Sequence, residues 1–221
     1  SPSRRRPGRA GLIAGAALLI VLAGAFATMA GWRPWSWIRP GASAPGAIVV
    51  TPFRNMTGDA ANDHLGVGIT DDLTTKLSTL PHVTVVSRAT TSAYVAEHPD
   101  SRTLARDLGA AFVIDGGLQR SGDQLRVTVT LQSAAGTTVW AHEYEGALAD
   151  LFTLQHQIAE GLADGLNLTL STTDRRRLAD EPTQNVEAFA DYAQGRLFLD
   201  RLDAKGNVDH AVDAFERAIA K

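Results

Sequence analysis

Residues 125–132 read Leu-Arg-Val-Thr-Val-Thr-Leu-Gln, and this alternation of apolar and polar side chains decides the fold class. A period of two residues is typical of a β-strand with one face on the core and the other in water. Ser121-Gly122-Asp123 before the run and Ala135-Gly136-Thr137 after it are turn sequences. The sequence therefore predicts a three-stranded meander over residues 112–144.

Short apolar runs and one helical repeat predict the elements that precede the meander. Ile48-Val49-Val50, ended by Pro52, is typical of a strand buried on both faces. Apolar residues recur at helical spacing from Leu65 to Leu80, behind Asp63, which is placed to cap the helix. The other predicted elements are a strand at Val83–Val86, a helix at Ser101–Leu108 closed by Gly109, and a strand at Phe112–Leu118.

Helices are predicted to follow the meander. Asp150 opens a helix whose apolar face runs from Leu151 to Leu166. Residues 171–185 lack apolar periodicity and are predicted to be a linker or a polar helix, and residues 186–199 and 209–220 form two amphipathic helices. The predicted fold class is α/β (α+β): a mixed five-stranded sheet with covering helices in the order β-α-β-α-β-β-β-α, followed by an α-helical hairpin.

The N-terminal residues are predicted to anchor the chain in a membrane. Residues 1–9 form a basic tail, residues 10–32 an apolar segment long enough to cross a bilayer, and residues 33–46 a Pro/Gly linker. The positive-inside rule places the tail in the cytoplasm, with three tryptophans at the far interface. Residues 33–221 are then periplasmic or extracellular, on a single-pass inner-membrane protein.

A cleaved signal peptide is the alternative to an anchor, because Ala25-Phe26-Ala27 resembles a small-residue cleavage site. The apolar run exceeds the usual length of a signal sequence, which favours the anchor. The first residue is Ser1, so we also expect a longer cytoplasmic portion upstream.

Composition excludes several kinds of site. The chain has no cysteine, so it has no disulfide, thiolate nucleophile or Cys-ligated metal site. All 24 acidic residues lie after residue 58, whereas six of the 21 Lys and Arg residues lie before residue 40, so the body is net negative. A negative body repels a phosphate backbone, and nucleic acid is not an expected partner of this segment.

Four motifs lie in the predicted domain: Val49-Val50-Thr51-Pro52-Phe53-Arg54-Asn55, Gly68-Ile69-Thr70-Asp71-Asp72-Leu73, Gly116-Gly117-Leu118-Gln119-Arg120-Ser121-Gly122-Asp123 and Val139-Trp140-Ala141-His142-Glu143-Tyr144. They resemble the TolB-like N-terminal domain family, whose relatives include the FlgO and CsgG accessory proteins. The resemblance covers residues 48–168, and residues 47–170 are predicted to be this domain.

The resemblance implies a membrane helix before the domain, tetratricopeptide repeats after it, and a cytoplasmic winged-helix, kinase or cyclase module upstream. Residues 186–221 look like one truncated tetratricopeptide repeat, because Ala211, Phe215 and Ala218 have its small, aromatic, small spacing. A single repeat cannot bury its own face. We therefore expect further repeats or packing on the preceding domain.

Candidate catalytic groups are few. Asp71 and Asp72 point about 100° apart on a helix, which favours a solvated face over a shared substrate. The six histidines show no spacing of a zinc helix, and no nucleophile elbow is present. Trp140 and Tyr144 share one face of a strand, where core packing is the favoured interpretation. The sequence predicts no catalytic residue, no metal and no cofactor.

The predicted function is a membrane-anchored, extracytoplasmic protein-interaction or sensory module, the exported part of a larger bacterial signalling or transcriptional regulator. Phe198, Phe215 and Ile219 are the candidate protein-interaction residues, for an envelope protein or for self-association. One alternative is a hydrolase that uses Asp71 or Asp72 with His64. The other is a passive tether for a cytoplasmic DNA-binding, kinase or cyclase head.

Overall fold

A mixed five-stranded sheet lies at the centre of the computed structural model, which describes residues 46–97 and 100–221. The strands are β1 (Ala47–Val50), β2 (Arg54–Asn55), β3 (Ala110–Ser121), β4 (Gln124–Ser133) and β5 (Thr138–Ala147). Strands β1 and β2 follow one another along the same edge of β3 and run parallel to it, whereas β3 pairs with β4 and β4 with β5 in antiparallel orientation.

Seven α-helices accompany the sheet in the described part of the chain, with single 3₁₀ turns at Ala60–Asn62 and Leu148–Asp150. The helices are α1 (Asp63–Ser78), α2 (Arg88–Glu97), α3 (Ser101–Asp107), α4 (Leu151–Gly165), α5 (Thr172–Leu178), α6 (Val186–Leu199) and α7 (Asn207–Ile219).

The core lies on both faces of the sheet. Val127, Val129 and Leu131 of β4 are fully buried with the apolar faces of α1 and α4, as the alternation predicts. Val49 and Val113 point to the opposite face, where α3 and α2 cover them. Helices thus enclose the sheet on both sides at β1, whereas the outer face of β5 is exposed.

The predicted aromatic packing is confirmed. Trp140 and Tyr144 lie against α4 where Gly165 and Gly161 leave room for their rings. A methyl group at Gly161 would lie 2.1 Å from the Tyr144 hydroxyl. Burial raises the pKa of Tyr144 to about 12.

The structure corrects the prediction of a strand at Val83–Val86. That segment makes only an isolated bridge between Val85 and Ile48, because the chain turns at Pro81-His82 and enters α2 at Arg88. The fifth strand is instead β2, which lies beyond Pro52 and pairs with Gly117-Leu118 of β3.

Two further details differ from the prediction. Helix α2 was not expected, because Arg88–Glu97 has little apolar periodicity and buries only Thr91. Asp63 is the first residue of α1 and not its cap; its carboxylate accepts a hydrogen bond from Asn55 Nδ2 at 2.8 Å. Within residues 171–185 the chain forms the polar helix α5, which a capping box at Ser171 begins.

The predicted tail, membrane helix and most of the linker, at residues 1–9, 10–32 and 33–45, lie outside the described residues. Among the helices that are described, none combines the length and apolarity that a membrane crossing needs.

Candidate interaction groove

A groove of about 870 Å³ opens between α1, the segment 177–183, α6 and the end of α7. Asp71, Asp72 and Lys76 of α1 lie on one side of it. Its apolar lining comes mainly from the helical hairpin, in residues Pro182, Ala188, Phe189, Tyr192, Phe215, Ala218 and Ile219.

Small residues allow the helices around the groove to approach closely. A methyl group at Gly68 of α1 would lie 2.6 Å from Phe189 and 3.0 Å from Ala193 on α6. At Gly195 of α6 it would lie 2.5 Å from the Phe215 ring of α7. The hairpin therefore packs directly on α1, which is the packing on the preceding domain that a lone hairpin needs.

Ion pairs hold α6 to the sheet domain. Asp71 lies 2.8 Å from Arg88 Nε and 2.8 Å from Arg196 Nε, and Arg88 also pairs with Asp200 at the end of α6. The side chains of Arg88 and Asp71 are only 9% and 13% exposed. The interpretation of Asp71 as part of a solvated helix face is wrong, because the Asp71 carboxylate of α1 pairs with arginines of α2 and α6.

Lys76 forms a second buried cluster beside the groove. Its ammonium, on a side chain only 3% exposed, donates to the Leu178 carbonyl at 2.8 Å and to Glu181 at 2.5 Å. Asp72 lies 3.8 Å from it. Burial raises the pKa of Asp72 to about 7, Lys76 opposes the shift, and the negative charge of Glu181 adds to it.

Stability should therefore depend on pH through Asp72. The pKa of Asp72 in the folded chain is about 7, above its ordinary value of 3.8, so the folded state keeps a proton that the unfolded state releases. This contribution is complete below about pH 4 and is lost as the pH rises through about 7. The free energy of unfolding should therefore fall by roughly 1–3 kcal/mol as the pH rises from about 5 to 8.

In the Asp72→Asn variant, this fall in the free energy of unfolding between about pH 5 and pH 8 should be absent, whereas the wild type should show it. Urea unfolding of both proteins at the two pH values measures the difference. Asp180→Asn, at the exposed mouth of the groove, is the control and should keep the wild-type pH dependence. Identical slopes for wild type and Asp72→Asn would contradict the buried position of this carboxylate.

The structure brings two of the three predicted interaction residues together. Phe215 and Ile219 line the groove, whereas Phe198 lies outside its lining and packs against His210 with ring centroids 5.3 Å apart. Tyr192 was missed: it is 42% exposed and its ring lies 5.8 Å from that of Phe215. Its position one turn from Phe189 was the available signal, but periodicity does not show which face of α6 the domain covers.

The acid pair does not meet the histidine that a hydrolase would use with it. His64 is absent from the groove lining and lies in the first turn of α1, where burial lowers its pKa. Asp71 is occupied by Arg88 and Arg196. Within the described residues, no group of three or more His, Asp or Glu side chains is arranged to hold a metal ion.

No family model matches the chain. A curated relative, the putative adenylate cyclase 3 of Rhizobium meliloti (strain 1021), is 27% identical over 171 residues, which are 77% of this chain and 29% of the relative. The chain thus spans less than a third of the length of this relative.

Solved structures similar to the chain include two from bacterial proteins. The LpoB C-terminal domain from Salmonella enterica is 20% identical, over 48% of this chain and 86% of that chain, with a TM-score of 0.38. TolB from Acinetobacter baumannii is 15% identical, over 57% of this chain and 29% of that chain, with a TM-score of 0.42. Sequence identities and TM-scores this low assign neither a family nor an activity to the chain. The TolB-like resemblance therefore stays a prediction from the motifs.

Proposed function

We propose that the chain is an extracytoplasmic protein-interaction module that binds a partner through the groove. The observation that carries this proposal is the apolar lining beside exposed aromatic and aliphatic side chains: Tyr192 is 42% exposed and Ile219 is 84% exposed. Aromatic residues are enriched in protein interfaces, and exposed apolar patches mark interaction sites.

The charged groups of the groove support binding over catalysis. Asp71 in the groove lining is already paired with Arg88 and Arg196. Lys76 is paired with Glu181, so neither side chain is a free nucleophile or base. A hydrolase that uses Asp71 or Asp72 with His64 would need these side chains to converge, and they do not.

The proposed setting is a single-pass inner-membrane protein. Residues 10–32 would cross the membrane, residues 33–221 would lie outside the cytoplasm, and a signalling or regulatory module would lie upstream. Similarity to a putative adenylate cyclase favours a cyclase among the possible upstream modules. The partner would be an envelope protein.

Site-specific photocrosslinking in cells that express the full chain tests the proposal. A photoreactive residue at Tyr192 should give a protein adduct, whereas one at Val139, 51% exposed on β5, should not. Ile219→Glu, a change at an exposed position, should reduce the Tyr192 adduct roughly fivefold, as expected for an interface residue of moderate importance. Equal adducts at both sites would contradict a groove-directed interaction.

A passive tether is the second candidate function, and the cyclase relative is the observation that favours it. In that case the chain only holds an upstream head at the membrane through residues 10–32, and residues 47–221 do not act on the output of that head. Deletion of residues 47–221 would then leave the output of the head unchanged. The interaction module predicts that the response to its partner is lost.

A further inference from the structure

Helix α7 carries an apolar stripe beside its contact with α6. The residues of the stripe, Val208, Val212, Phe215 and Ile219, follow at intervals of four, three and four, which places them within a narrow arc of the helix. Val208 is 55% exposed and Val212 is 49% exposed, and neither lines the groove. The stripe therefore extends the apolar wall of the groove along the outer surface of α7.

Acidic side chains border the stripe on one side only. Asp209, Asp213 and Glu216 are exposed there, opposite Ala211 and Ala214, which are buried where α7 packs on α6. Among the residues that the structure describes, none of these three carboxylates has an ion-pair partner within 4.0 Å. Within residues 46–97 and 100–221, the exposed border of the stripe thus has a negative charge that no ion pair neutralises.

These two observations define the surface that would match the stripe. Apolar residues at alternating intervals of four and three are the seam through which one helix packs on another, and charged residues beside such a seam select the partner. Unpaired carboxylates beside the seam select cations.

We propose that the stripe docks a helix of a partner protein whose own apolar seam is bordered by Lys or Arg. A second copy of this chain presents the same carboxylates beside its own stripe, so stripe against stripe is a poorer match in charge. The inference rests on the proposed function, because Phe215 and Ile219 belong to both the stripe and the groove.

Disulfide trapping tests this inference, because the chain has no cysteine of its own. Full-length protein with the single change Val212→Cys, in nanodiscs of zwitterionic phosphatidylcholine, is mixed with designed helical peptides of about 20 residues in the presence of oxidised glutathione as the oxidant. Both peptides carry one cysteine in a leucine seam; lysines border the seam in one and glutamates in the other. Val139→Cys, at a position on β5 that is 51% exposed, is the control for general attraction between the peptide and an acidic body.

The expected result is that the lysine peptide is trapped at Val212→Cys roughly tenfold faster than the glutamate peptide, since three exposed ion pairs together give a difference of about that size. Adding Asp209→Lys, Asp213→Lys and Glu216→Lys should reverse this preference at Val212→Cys. At Val139→Cys the preference should be small and should not change.

Other results would overturn the inference. Equal trapping of both peptides, or the same preference at Val212→Cys and Val139→Cys, would show that the stripe does not recognise a basic helix. Rapid disulfide dimers of Val212→Cys without peptide would assign the stripe to a second copy. A Tyr192 adduct in cells together with any of these results would leave the groove function standing and reject only the partner assigned to the stripe.

Discussion

Replacing Lys76 with methionine is expected to lower the free energy of unfolding by about 3–5 kcal/mol. The methionine fits the space of the lysine chain, but it leaves Glu181 and Asp72, whose side chains are 6% and 11% exposed, without the ammonium between them. The Leu178 carbonyl also loses its donor. Removing one partner of a buried ion pair is costly because the remaining charge stays desolvated.

Urea unfolding at neutral pH measures this loss. The double variant Lys76→Met with Glu181→Leu should recover part of it, because the second change removes the unpaired charge. Lys205→Met, in the exposed loop before α7, should change the free energy of unfolding by less than about 0.5 kcal/mol. A small loss for Lys76→Met, similar to that of Lys205→Met, would mean that the cluster is open to water.

Gly66→Ala is expected to lower the free energy of unfolding by about 3 kcal/mol, although alanine is the better helix former. The added methyl group would lie 2.3 Å from the Phe53 carbonyl oxygen. The backbone at Phe53 cannot easily move away from α1, because two hydrogen bonds hold it there. The Phe53 amide donates to Thr70 Oγ1 at 2.9 Å, and Thr70 Oγ1 donates to the Gly66 carbonyl at 2.7 Å.

Gly68→Ala, two residues further along α1, is the matched comparison. Its methyl group would meet the edge of the Phe189 ring, which can shift at the cost of loosening α6. We expect a loss of about 1 kcal/mol for this variant, measured in the same urea series. Equal losses for the two glycines would indicate that the Phe53 segment yields as readily as a side chain.

The sequence predicts the elements whose pattern is local. The meander follows from strict alternation over 125–132 and from turns at Gly122 and Gly136, both of which have positive φ in the structure. Helix α1 follows from its apolar repeat. The pattern fails at residues 83–86, where β-branched residues indicate a strand but the neighbouring turns leave room for a single bridge.

The groove is harder to predict, because it depends on which helices meet. Asp71, Arg88 and Arg196 are far apart in sequence, and nothing in their local context distinguishes a buried ion pair from solvated charges. Apolar residues of α7 were visible as candidates, but the sequence alone did not separate the face on α6 from the exposed stripe. The same holds for α6, where the sequence offers Phe198 as a candidate although its ring packs against His210 within the hairpin.

Close packing of α6 on α1, through Gly68 and the ion pairs of Asp71, joins the helical hairpin to the α/β domain. In a solenoid, a terminal capping unit closes the apolar end of the stack, and each later unit adds to the one before it. Here the α/β domain covers the helical hairpin on the side of α6, in the position that such a cap has in a solenoid. The orientation of the hairpin is then set by its contacts with the sheet domain.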